Sequence, residues 1–118
     1  MSSKKVAFCF DGAVAKQRRY ESVDVINAEA VSGINALFKR LYIGGYEIEI
    51  FSARCREYVG YKAVMHWLVA HSLIEYVSSV IQYASDANVI IDARCVTGRD
   101  IPSLLAKIEA KENDYEEN

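Results

Sequence analysis

The chain has 118 residues, 52% of them hydrophobic and 25% charged, with a formal net charge of -2. That is one domain's length and an ordinary globular composition, large enough to bury a core. The charge offers no bulk attraction to nucleic acid or acidic membranes, and no apolar run approaches the roughly 20 residues of a membrane span.

Met1-Ser-Ser-Lys-Lys5 leads directly into an apolar run, Val6 to Phe10, so no signal peptide is read here. The run stops at Asp11-Gly12, as a buried parallel strand does when it delivers a carboxylate to a sheet edge. Ala15 to Asp24 is a polar loop grouping Lys16, Arg18 and Arg19. Asn27 is placed to cap a helix with Glu29 in its first turn. Ala30, Ile34, Leu37, Phe38 and Leu41 repeat at helical spacing, and Gly44-Gly45 ends the helix.

Tyr46 to Phe51 reads as the second strand and runs into Ser52-Ala53-Arg54. A helix over about Glu57 to His71 carries Val59, Ala63, Val64, Trp67 and Leu68 on its apolar face. Val77 to Tyr83 is a short third strand, and Asn88 to Ile91 a fourth running into Asp92-Ala93-Arg94. Pro102 suits the first turn of a last helix with Leu104, Leu105 and Ile108, before an acidic tail from Glu112 that is expected to fray. There is no repeat, linker or low-complexity segment, so residues 1–118 read as a single domain. Strands with polar C-terminal ends, alternating with helices, predict an open α/β sheet, mainly parallel, with helices on both faces. Its ligand crevice lies outside those strand ends.

Three stretches carry a resemblance: Cys9-Phe10-Asp11-Gly12, Ser52-Ala53-Arg54 and Asp92-Ala93-Arg94, with Gly44-Gly45-Tyr46 and Trp67-Leu68 beside them. Over roughly residues 4 to 99 the chain resembles the small, capless type of the haloacid dehalogenase-like (HAD) phosphatase superfamily. The resemblance implies a three-layer Rossmann-like HAD fold without a cap domain. In that family the first strand ends Asp-x-Asp-Gly. Its first Asp attacks phosphorus and binds Mg²⁺, its second protonates the leaving group, and a Ser or Thr ending the second strand holds a phosphoryl oxygen. A Lys neutralises charge, and an acidic pair ends the last strand. Positioning and charge compensation supply almost all of the rate.

Here Cys9 stands at the nucleophile position, Ala93 at the second acidic position of the last strand, and Ser85-Asp86 where Lys-Pro is usual. A thiol is a poor ligand for Mg²⁺. Covalent attack, metal binding and charge neutralisation are each impaired. The expectation is therefore a non-catalytic (pseudo-enzyme) domain that works by binding or assembly, with Cys9, Asp11, Ser52 and Asp92 vestigial and no cofactor. The alternative is a weak Mg²⁺-dependent phosphatase using Asp11, Asp92 and water. Cys9 lacks the following Arg of cysteine phosphatases, an adjacent Asp11 raises a thiol pKa, and the residue reads as a small hydrophobe.

The plainer readings stand alongside. Asp11 caps its own loop, Ser52 accepts a backbone bond, Asp92 pairs with Arg54 or Arg94, and His66 and His71 are packing or surface residues. Cys9, Cys55 and Cys95 are an odd set without metal-ligand spacing, so reduced thiols in a cytoplasmic protein are expected. Lys16, Arg18, Arg19, Arg54, Arg56, Arg94 and Arg99 follow strand ends, seven of the chain's 14 basic residues. They suggest a metal-independent anion site for a phosphorylated ligand or an acidic partner, with Asp11, Gly12, Ser52, Arg54 and Arg94 as its ligands. Against that, the same arginines have Glu21, Asp24, Glu57, Asp86 and Asp100 nearby to pair with. Eight tyrosines leave self-association open.

Overall fold

The computed structural model describes residues 4–17, 22–84, 89–91 and 106. Its strands are β1 (Lys4–Cys9), β2 (Tyr46–Phe51), β3 (Val77–Ile81) and β4 (Val89–Ile91), and its longer helices are α1 (Ile34–Ile43) and α2 (Tyr58–Ala70). The strands form one parallel sheet in the order β3-β2-β1-β4. Val6 stands opposite Ile48 and Val89, and Phe8 opposite Ile50 and Ile91.

Alternation along the strands puts Val6 and Phe8 on one face with Ile48 and Ile50, all fully buried. Onto this face α1 lays Ile34, Leu37, Phe38 and Leu41, and α2 lays Val64, Trp67 and Leu68. The Phe8 and Phe38 rings stand 4.8 Å apart, and Phe10 meets Trp67 edge to face at 5.1 Å. Both helices lie on one face because β1, β2 and β3 step across the sheet in one direction, and right-handed crossovers then fall on the same side. On the opposite face Ala7 and Glu49 are also buried, and Lys5 reaches Glu49 at 3.5 Å. The last helix expected from Pro102 lies outside the described residues except for Ala106, which is helical.

The sheet, α2 and the glycine stop after α1 fall within two residues of expectation. Gly45, at φ 87°, closes the turn with its N–H on the Tyr42 carbonyl. The start of α1 does not. The helix begins at Ile34 behind Gly33, which takes φ 84°, and Asn27 is no cap but an exposed residue of an irregular segment. That segment is fastened from outside by side chains distant in sequence, and these contacts override its helical spacing. Among the described residues, no helix is long and apolar enough to cross a membrane.

Candidate functional site

β1 ends in a wide turn over Phe10–Val14, closed by the Ala15 N–H on the Phe10 carbonyl at 3.0 Å and the Gly12 N–H on the Ala15 carbonyl at 2.8 Å. Gly12 takes φ 103° there, a conformation that side chains resist. The turn places Asp11 at the C-terminal edge of the sheet, 8% exposed.

β2 ends beside it. Ser52 caps a short 3₁₀ turn, Ala53–Arg56, its Oγ accepting from the Arg54 N–H at 3.1 Å. The Ser52 hydroxyl donates to Asp11 Oδ2 at 2.6 Å, and Arg54 Nε donates to Asp11 Oδ1 at 2.8 Å. Arg54 is fully buried. Its Nη1 donates to the carbonyls of Ser22, Val23 and Val25 at 2.9, 3.0 and 3.1 Å.

Arg54, weighed as an anion ligand or as one partner of an acid, is buried: its guanidinium is turned inward onto the Asp11 carboxylate and a run of carbonyls, because an arginine taken out of water needs both charge balance and acceptors. One expectation is corrected. Asp11 does not cap its own loop through the backbone; its oxygens are bound by side chains 41 and 43 residues away. Ser52 does accept a backbone N–H as expected, and it also donates.

Chemically, Asp11 presents acceptors to Ser52 and Arg54, and the Ser52 proton is committed to Asp11. Cys9 is half-buried, its Sγ donating to the Asp11 carbonyl at 3.5 Å. Burial pushes the Cys55 thiol up to about 11, with the Asp11 carboxylate adding to the rise and Arg54 opposing it. Neither Cys9 nor Cys55 is in a disulfide among the described residues.

The structure thus brings together Asp11, Gly12, Ser52 and Arg54, with Cys9 alongside. Asp92, Ala93, Arg94, Ser85, Asp86 and Cys95 lie outside the described residues, as do Arg18, Arg19, Arg99, Glu21 and Asp100. Among the described residues no group of three His, Cys, Asp or Glu side chains is arranged to hold a metal ion. His66 is exposed, while His71 stacks on Trp67 at 3.8 Å.

Two participants escaped the sequence reading. The carbonyls of residues 22–25 carry no side-chain signal at all. Gly60 is buried where α2 meets the Arg54 backbone: a Cβ on Gly60 would lie 2.0 Å from the Arg54 carbonyl oxygen. No protein-family model, curated protein or solved structure matches this chain.

Proposed function

We propose that this chain is a non-catalytic, capless HAD-like domain that acts by binding or assembly, with a protein as its partner. The observation that carries the reading is the closed contact of Asp11 with both Ser52 and Arg54. A family acid and a family phosphate-holder are spent on one another, at the place where the nucleophile is already Cys9.

The strand order supports the fold part of this reading. β2 and β3 lie to one side of β1 and β4 to the other, and an open sheet of this kind binds ligands outside the strand ends where the order reverses. A protein partner fits better than a free phosphorylated ligand, since Arg54 is already committed to Asp11. Exposed Tyr42-Ile43 and Tyr58-Val59 offer the aromatic and aliphatic surface that interfaces use.

The test is hydrolysis of p-nitrophenyl phosphate with and without Mg²⁺, comparing wild type and Asp11→Asn with folding followed by circular dichroism. No Mg²⁺-dependent turnover is expected in either protein. Turnover that needs Mg²⁺ and vanishes in a folded Asp11→Asn overturns the reading in favour of a phosphatase using Asp11, Asp92 and water.

A further inference from the structure

Residues 22–31 form no regular element beyond a turn at Val23-Asp24 and a bridge at Ala30, and many of their fastenings are polar. Arg54 holds the carbonyls of Ser22, Val23 and Val25, and Trp67 Nε1 donates to the Ala28 carbonyl at 3.0 Å. The Lys16 N–H donates to the Glu29 carbonyl and the Val31 N–H to the Val14 carbonyl, both at 2.8 Å, around an antiparallel bridge between Ala15 and Ala30. Apolar attachment is concentrated toward the C-terminal end: Val31 belongs to the core and Ile26, Ala28 and Ala30 pack against it, whereas Val23 is half-buried and Ser22, Asp24, Val25, Asn27 and Glu29 face solvent.

A segment with few buried apolar contacts opens at lower free energy than the core beside it. Here the largest single fastening is Arg54, and its guanidinium is aimed by Asp11, which Ser52 holds in turn. We infer that Asp11, Ser52 and Arg54 form a latch, and that residues 22–31 are a strap which opens as one unit when the Arg54–Asp11 contact breaks, leaving the sheet and both helices in place. Arg54 is a positioning residue in this device, and the device goes beyond the functional reading above and does not depend on it.

The test is residue-resolved hydrogen exchange of the full chain under native conditions. The Lys16 and Val31 amides report on the strap, and amides of β1, β2 and α1 serve as the reference. Arg54→Lys keeps a positive charge near Asp11 but cannot serve Asp11 and three carbonyls with its three donors. It is expected to speed exchange at Lys16 and Val31 by about tenfold or more while the reference amides hold their rates. Trp67→Phe removes the Ala28 bond and trims packing on Phe10 and His71 but leaves the Arg54 contacts in place, and it speeds the same two amides by less. Should Arg54→Lys fail to fold, Asp11→Asn, which keeps an acceptor for Nε, carries the test: the strap amides must outpace the reference amides. Uniform acceleration across all amides makes Arg54 an ordinary core prop and refutes the strap, as does unchanged exchange at Lys16 and Val31. Turnover is read in a separate assay, so failure of the latch and failure of the functional reading are told apart.

Discussion

Replacing Gly60 with alanine sets two effects of opposite sign against each other at one position. Gly60 is the third residue of α2, where alanine is favoured over glycine by up to about 1 kcal/mol. On propensity alone, Gly60→Ala stabilises. Its Cβ, however, falls 2.0 Å from the Arg54 carbonyl oxygen, 2.7 Å from the carbonyl carbon and 3.2 Å from Cα. All three atoms are backbone, so no rotamer change relieves the overlap, and the helix has to lift from the 3₁₀ turn by about 1 Å to restore ordinary contact. Overpacking of this kind costs about 3 kcal/mol at the upper end of its usual range. The net expectation is a loss of about 2 kcal/mol, or about 8 °C in Tm for a domain of this size. Thermal and urea unfolding of Gly60→Ala against wild type measures it. Gly45→Ala is the control, since Gly45 has φ 87° and open space around its missing Cβ. There only the left-handed backbone is penalised, by about 1–2 kcal/mol. A Gly60→Ala protein as stable as wild type, or more so, refutes the close approach of α2 to Arg54 and the support it gives the latch.

The Cys55 thiol, raised from 9.0 to about 11, should react with iodoacetamide at pH 8 about 100-fold more slowly than an ordinary thiol, because only the thiolate attacks; labelling at the model-thiol rate refutes the assigned environment. Because the folded-state value is the higher one, this thiol's contribution to stability is in place below about pH 9 and lost as pH rises through about 11. Urea midpoints across that window should therefore fall more steeply in wild type than in Cys55→Ser. Inorganic phosphate or Mg²⁺ at about 10 mM should leave Tm unchanged, whereas a ligand present at 100 times its dissociation constant adds about 2.7 kcal/mol, so a clear rise with either ion restores an anion or metal site at this edge.

The sheet was legible because its central strand β1 and the middle of β2 are buried on both faces. Val6–Phe10, Tyr46–Phe51 and Val77–Ile81 are runs whose composition leaves few other placements. Helix α2 was legible from Val64, Trp67 and Leu68, which are buried as expected, whereas Val59, expected on the same face, is 51% exposed and the buried position there is Gly60. The stretch before α1 misled because Ala30 continues the spacing of Ile34, Leu37 and Phe38, while what decides its conformation lies elsewhere in the chain: Arg54, Trp67 and the bridge to Ala15. The site divided along the same line. Asp11 and Ser52 were found because each ends a strand, a local signal. Arg54 was read either as an anion ligand or as paired with Asp92 or an acid nearby, whereas the carboxylate it meets is Asp11, 43 residues away. Pairing of that kind leaves no periodicity to read.

The latch also explains why an arginine, of all residues, occupies the second position after Ser52. A buried ion pair is weak ground for stability, since well-packed apolar residues of similar volume often serve as well. Methionine in place of Arg54 and leucine in place of Asp11 remove the charge problem together. They do nothing for the carbonyls of Ser22, Val23 and Val25, which converge on one nitrogen and lose their donor. Lysine supplies charge but too few donors, spread from a single point. Only the guanidinium offers one nitrogen to a carboxylate and another to a turn of backbone in a fixed plane. What the buried pair secures is therefore the conformation of residues 22–25, and through it the shape of the crevice edge. On the function proposed above, Asp11 and Ser52 are not needed for turnover, and the edge they hold keeps one shape until a partner arrives.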